Sequence, residues 1–225
     1  MQTYLITGAN RGIGLEMTRQ ALELGLRVIA TCRDPSSAAE LAALEGLLDI
    51  QALDVTDQSS VDALAATLTG VALDVLINNA GVMATHQSID DMDYEEWMTS
   101  FAINAIAPWR VSVAFEQHLK SSSRPRVATL TSQMASLKRA GSDRVAYRSS
   151  KAAANMAMRT LALEWQAKGI TVCSLHPGWV QTDMGGSNAA LGVVESASGL
   201  LEVIDGLSLK DTGRFLDYEG ERLPW

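Results

Sequence analysis

Tyr147 and Lys151 stand four positions apart in a stretch of helical periodicity, which puts them on one helix face, one turn apart. An ammonium beside a phenol stabilises the phenolate and lowers the tyrosine pKa from its usual value of about 10. A tyrosine tuned in this way can give and take a proton during redox chemistry at a carbonyl. A hydroxyl that holds the carbonyl oxygen completes such a site. Ser132, at the carboxyl end of an apolar strand, is the candidate, with Thr129, Thr131, Ser136 and Ser149 as competing hydroxyls.

A second constellation lies near the N-terminus. The apolar run Tyr4-Leu5-Ile6 leads into Thr7-Gly8-Ala9-Asn10-Arg11-Gly12-Ile13-Gly14 and then directly into a helical pattern. Glycines permit a tight turn with positive φ and close backbone approach to a ligand. Ahead of a helix N-terminus, the free N–H groups and the helix dipole make an anion site suited to a pyrophosphate. The spacing is Gly-x3-Gly-x-Gly rather than the Gly-x-Gly-x-x-Gly dinucleotide fingerprint, and taken alone it also fits an ordinary strand-to-helix turn. The next strand ends in Thr31-Cys32-Arg33-Asp34, where dinucleotide folds carry either an acid for the ribose hydroxyl of NAD or an arginine for the extra phosphate of NADP. Arg33 and Arg11 bring two guanidiniums to one place, which suits a phosphate, so NADP(H) is the preferred cofactor; Asp34 keeps NAD(H) open.

Short apolar runs alternate with helical patterns along the whole chain. Strands are expected at 4–6, 27–31, 48–55, 74–77, 126–130, 170–175 and 214–216. Helices are expected at about 12–24, 36–45, 59–68, 94–119, 146–167 and 195–207. Such alternation implies parallel strands joined by right-handed crossovers, hence a doubly wound α/β sheet with helices on both faces. The strands are apolar throughout, as sheets covered on both sides require. With no Pro/Gly/Ser-rich linker and no repeat, residues 1–225 read as one dinucleotide-binding catalytic domain.

Composition narrows the functional classes. Among 225 residues, 47% are hydrophobic and 20% charged, which excludes a disordered chain. A net charge of −8 argues against non-specific binding to nucleic acid or anionic lipid. No uncharged apolar run is long enough to span a bilayer and no secretory signal is visible, so a cytoplasmic location is expected. Cys32 and Cys173 are too few for a disulfide scaffold. His86, His118 and His176 lack carboxylate or cysteine neighbours at ligand spacing, so no metal site is expected; His176 should pack beside Pro177.

Taken in order, these motifs resemble the short-chain dehydrogenase/reductase family over nearly the whole chain. Thr7 to Gly14 is similar to its cofactor turn, and Asn78-Asn79-Ala80-Gly81 to the segment after its fourth strand. Asn104, Ser132, Tyr147 and Lys151 match its catalytic tetrad. Asp54-Val55 resembles the pair that holds the adenine, and Pro177-Gly178, Val180 and Thr182 the segment beside the nicotinamide. The resemblance implies a Rossmann-type seven-stranded sheet of order 3-2-1-4-5-6-7. It also implies NADP(H)-dependent reduction of an aldehyde or ketone, with Tyr147 as general acid, Ser132 positioning the carbonyl, and Asn104 holding a water in a relay through Lys151. Cofactor contacts would fall on Gly8, Asn10, Arg11, Gly12, Ile13, Gly14, Arg33, Asp54, Val55, Asn79, Ala80 and Gly81, on Tyr147 and Lys151, and on Pro177, Gly178, Val180 and Thr182. In that order Cys32 and Cys173 lie four strands apart, near about 19 Å and beyond disulfide reach.

The Thr7–Glu16 segment and the Gly-Arg-Phe-Leu-Asp ending are most similar to the C-factor and carbonyl-reductase branch. The short stretch between Pro177 and Val193 suggests an open substrate site. Met83, Met92, Met98, Met134 and Met184 are candidates for its walls, and Trp179 for a cover. Small and apolar residues on the two long helices (Ala152-Ala153-Ala154, Met156, Ala157, Phe101, Ile106, Trp109) suit the four-helix dimer contact the family uses. Two other functions fit: a dinucleotide-binding signalling protein of the same fold, and an NAD-dependent alcohol dehydrogenase using Asp34.

Overall fold

The computed structural model describes residues 1–225. Seven parallel strands form the central sheet: β1 (Thr3–Thr7), β2 (Arg27–Cys32), β3 (Leu48–Ala52), β4 (Val75–Asn78), β5 (Arg126–Leu130), β6 (Thr171–His176) and β7 (Phe215–Asp217). They lie in the order β3-β2-β1-β4-β5-β6-β7, the expected doubly wound, Rossmann-type arrangement. The helices are α1 (Gly12–Glu23), the single turn α2 (Ala39–Ala42), α3 (Gln58–Thr67), α4 (Tyr94–Phe101), α5 (Ala107–Ala114), α6 (Glu116–Lys120), α7 (Val145–Trp165) and α8 (Val193–Gly206).

Strand alternation sends successive side chains to opposite faces. Ile6, Val28, Ala30, Ala128 and Leu175 pack beneath α1 and α8 with Met17, Ala21, Leu200 and Ile204. Leu5, Ile29, Leu76, Val127 and Val172 pack against the other layer with Phe115, Met158, Leu161 and Trp165. Cys32 and Cys173 are both buried and free, on strands four places apart in the sheet. No helix is long and apolar enough to cross a membrane.

Several elements depart from the sequence expectation. The helix expected over 36–45 reduces to a 3-10 turn, Pro35–Ser37, and the single turn α2, because Ala38 between them leaves the helical region at φ −95° and ψ 56°. The third strand stops at Ala52, leaving Asp54-Val55 in the loop beyond it. A two-stranded hairpin, Gln87–Ser88 with Asp91–Met92, follows β4 and was not expected. The helix expected over 94–119 is broken by a π-turn at Ala102–Ile106 and again at Phe115. The faces named for a partner chain divide: Ala154 is buried in the core and Trp109 and Ala157 lean on it, while Ile106 and Met156 are 51% and 65% exposed.

Candidate active site

The carboxyl ends of β1, β4, β5 and β6 converge where the strand order reverses, the place at which open α/β sheets bind ligands. The glycine turn leaves β1 here. Gly8 takes φ 64° and Gly12 φ 56°, and Arg11 begins α1 without a side-chain cap, so the first N–H groups of the helix remain available. A Cβ at Gly14 would collide with Asn79 Nδ2 and lie 2.5 Å from the Gly8 carbonyl. This bare backbone cradle fits a diphosphate. Thr7 Oγ1 fixes it by accepting from the N–H groups of Asn79 (3.0 Å) and Ala80 (3.1 Å).

Some expected cofactor residues have other partners. Asn79 Nδ2 donates to Thr7 O at 2.8 Å and Gly8 O at 2.9 Å, so its amide clamps the turn and only its neighbours Ala80 and Gly81 leave backbone facing the crevice. Arg11 turns away from Arg33 and pairs with Asp183 at 3.1 Å. Both side chains are largely exposed, so this pair is weak and exchangeable. Thr182 lies over Gly12, 3.5 Å from where its Cβ would be, and Val180 bridges to Leu191. The short 177–192 segment therefore reaches across to the glycine turn instead of standing clear of it.

Arg33 is exposed at the tip of β2 and its charge helps hold the Asp54 carboxyl below its ordinary range, after the hydrogen bonds from Thr56. Asp34, the competing acid, is committed: its Oδ1 accepts from Ser36 N at 3.0 Å and Ser36 Oγ at 2.6 Å. Val55 leans on the core below the loop, where its carbonyl accepts from Arg110 Nη1 at 3.0 Å. Asn10 and Ile13 are half-buried within the turn, as are Pro177 and Gly178 beside β6.

Ser132, Tyr147, Lys151 and Asn104 come together on one side of this crevice. Ser132 leaves β5 as the cap of the 3-10 turn Gln133–Ala135, where its Oγ accepts from Met134 N at 3.1 Å. The Tyr147 hydroxyl lies close enough to Ser132 for that side chain to bear on its pKa. The competing hydroxyls are mostly spent elsewhere: Thr129 accepts from Asn78 Nδ2 at 3.3 Å, Ser136 donates to Trp225 O at 3.1 Å, and Ser149 donates to Val145 O at 2.6 Å. Thr131 Oγ1 is buried without a partner.

Lys151, one turn along α7, places Nζ 5.9 Å from the Tyr147 ring centroid and donates to Leu130 O at 2.8 Å. Burial lowers its pKa to about 8. The phenol is not lowered towards neutrality as the sequence suggests. Burial raises it, opposed by the neighbouring Ser132 side chain and the Arg144 charge. The reason is geometric: the ammonium stands over the ring face and turns to a backbone carbonyl rather than to the hydroxyl.

Asn104 sits fully buried inside the π-turn, a distortion that recurs at functional sites. Its Oδ1 accepts from Val82 N at 2.9 Å, and its Nδ2 donates to Val82 O at 2.8 Å and Ser150 Oγ at 3.0 Å. Asn104 and Lys151 flank Gly81, within 3.2 and 3.3 Å of where its Cβ would be. Two contributors escape the sequence reading: Ser150 is a single hydroxyl with no pattern of its own, and Gln87, whose Oε1 accepts from Tyr147 N at 3.0 Å, lies in the unexpected hairpin. Trp179 is 53% exposed, its Nε1 bonded to Gly185 O at 2.9 Å, and His176 is buried next to Pro177 as expected.

Residues 2–190 match the family model described as short chain dehydrogenase. The chain belongs to the short-chain dehydrogenase family. It is an oxidoreductase of that family, on its carbonyl-reductase branch. Its sequence is 46% identical over 165 residues to the C-signal protein of Myxococcus xanthus, covering 72% of this chain and 99% of that one. It is 35% identical over 232 residues to 1-hydroxy-2-glutathionyl-2-methyl-3-butene dehydrogenase of Rhodococcus sp. (strain AD45), over the full length of both. The NADPH-bound carbonyl reductase from chicken fatty liver superposes with a TM-score of 0.93 at 37% identity, covering 100% of this chain and 99% of that one.

Proposed function

We propose that the protein reduces aldehyde or ketone carbonyls to alcohols at the expense of NADPH. The observation that carries this reading is the Tyr147 phenol set beside Ser132 and Lys151, whose Nζ lies 5.9 Å from the ring centroid, on the crevice that also holds the glycine turn. Reduced nicotinamide, when bound, supplies the hydride. Ser132 orients the carbonyl oxygen, and Tyr147 delivers a proton to it from Oη. Because burial raises the phenol pKa, Tyr147 keeps that proton through neutral pH, as a general acid must. Lys151 keeps a positive charge 5.9 Å from the ring of the phenolate left behind, and Asn104 holds the Val82 backbone beside it.

For the cofactor, the turn from Gly8 to Gly14, with Asn10 and Ile13, receives the diphosphate, Asp54 and Val55 border the adenine, and Ala80, Gly81, Pro177, Gly178, Val180 and Thr182 line the remainder. Arg33, with Arg11 released from Asp183, meets the extra phosphate of NADP(H). The engagement of Asp34 by Ser36 weighs against NAD(H), and the chicken relative crystallised with NADPH supports the choice. Residues 1–225 act as one catalytic domain. Its free, buried cysteines suit a cytoplasmic setting, and the exposed faces of Ile106, Met156 and Leu163 suit a homodimer, which light scattering would register.

The direct test is NADPH oxidation with a panel of simple aldehydes and ketones. Native protein should turn them over, and Tyr147→Phe should lose roughly 100-fold or more in kcat while still binding NADPH. No turnover across the panel would refute the reductase. The 46% identity to the C-signal protein favours one other reading, a dinucleotide-binding signal protein. That alternative requires nucleotide binding without turnover and a biological effect indifferent to Tyr147→Phe.

A further inference from the structure

The segment joining β5 to α7 runs against the charge of the rest of the chain. The protein carries a net −8, yet residues 133–148 hold four basic side chains, Lys138, Arg139, Arg144 and Arg148, against the single acid Asp143. This segment walls the crevice between Ser132 and Tyr147. Its basic residues divide by what they touch. Arg148 builds the corner: its Nε donates to Asp143 O at 2.8 Å, its Nη2 to Asp143 Oδ1 at 2.8 Å, and its backbone N–H to Arg144 O at 2.9 Å. Arg139 is held by Gln133 Oε1 at 2.8 Å.

Arg144 is held in the backbone and left free in the side chain. At φ 53° it is the one non-glycine residue in the left-handed region, a strained conformation that the Arg148 contacts on either side maintain. Its guanidinium has no close acceptor: Nη1 lies 4.0 Å from the Met134 sulfur, and Nε lies 3.9 Å from the Asp143 carboxylate that Arg148 already engages. Met134 is two residues beyond Ser132, and Arg144 is three residues before Tyr147. The guanidinium, 49% exposed, thus lies beside Met134 on the crevice wall, and its charge is felt at the Tyr147 phenol.

A planar guanidinium with unused donors on a rigid corner is suited to a carboxylate, which it can meet with two parallel hydrogen bonds. We infer that Arg144 is a specificity-determining residue that selects carbonyl substrates bearing a carboxylate over neutral ones. The inference rests on the reductase reading above and narrows its substrate class.

The test compares para- and meta-formylbenzoate with their methyl esters, using the full-length protein and NADPH. Native protein should favour the better acid over its ester by roughly tenfold or more in kcat/KM, the worth of a charge-assisted hydrogen bond, and added KCl should shrink that ratio. Arg144→Met should abolish the preference by lowering turnover of the acids far more than of the esters, with little change in NADPH affinity. Arg144→Lys should restore part of it, and Arg139→Met should leave it intact. Equal or better turnover of the esters by native protein, or an acid preference that survives Arg144→Met, overturns the inference while leaving the reductase standing. If neither acids nor esters react, the reductase reading fails, and calorimetric titration with para-(hydroxymethyl)benzoate decides the anion site separately. Binding lost in Arg144→Met upholds it; absent or unchanged binding overturns it.

Discussion

Lys151 Nζ stands 5.9 Å from the centre of the Tyr147 ring and gives its one protein hydrogen bond, at 2.8 Å, to the carbonyl of Leu130. A buried ammonium with a single backbone acceptor is poorly compensated for its lost water. The site thus holds a charge that its surroundings disfavour.

That penalty has a pH signature. A fall in pKa from 10.5 to about 8 corresponds to roughly 3 kcal/mol of destabilisation, present in full below pH 8 and relieved between about 8 and 10.5. Lys151→Met should therefore be inactive yet raise the Tm of the cofactor-free protein at pH 7, and the gain should shrink towards pH 10. Thermal unfolding of both proteins across that range is the measurement; a variant less stable at pH 7 would contradict the account.

His176, a second base held below its ordinary range by burial, makes a prediction of the same sign at acid pH. Burial, its main cause, depresses the folded pKa from 6.5 to about 4, so the unfolded chain binds the proton first as the pH falls. Stability should drop by roughly 3 kcal/mol between pH 6.5 and 4 from this group alone. Carboxylates with lowered pKa add to the acid loss, so the comparison is with His176→Gln, whose denaturation midpoint should fall less steeply over that interval. Parallel curves would show that His176 contributes nothing.

Cofactor choice is readable at Arg33. Arg33→Ala should weaken NADPH by about tenfold or more, the worth of a lost charge-assisted hydrogen bond, and leave NADH nearly unchanged. Asp183→Asn, which frees Arg11 from its exposed partner, should tighten NADPH modestly. Fluorescence titration with both nucleotides tests this, and equal losses for NADPH and NADH in Arg33→Ala would remove Arg33 from the phosphate site.

Gly14→Ala probes the cradle itself. Its methyl group would meet Asn79 Nδ2 and the Gly8 carbonyl, and the carbonyl is backbone that cannot swing aside. A cost of about 1–3 kcal/mol in stability is expected, together with loss of dinucleotide binding. Gly25→Ala, with open space around it, should bind dinucleotide normally despite its own positive φ.

The alternating strands and helices, the two-sided core and the helix face shared by Tyr147 and Lys151 are legible in local periodicity, and Ser132 in its strand end; the strand order and Asn104 are legible only through the family resemblance. What escaped was decided by contacts distant in the chain. Arg11 finds Asp183, 172 residues away, and Asn79 turns back to the Thr7 and Gly8 carbonyls, 72 and 71 residues away. The direction of the Tyr147 shift was misread for a related reason. Spacing along a helix fixes which face two side chains share, but burial and the nearest acceptor decide where a charge points.

The π-turn at Ala102–Ile106 amounts to a helix carrying one surplus residue. Winding the same residues as a regular helix, without the wide turn that absorbs the extra one, would swing everything after it by about 100°. Val111 and Phe115, both now in the core, would be carried out of it, while Tyr94–Phe101 kept its place. The irregularity is thus a phase adjuster: it takes up the extra residue so that Val111 and Phe115 stay turned towards the core.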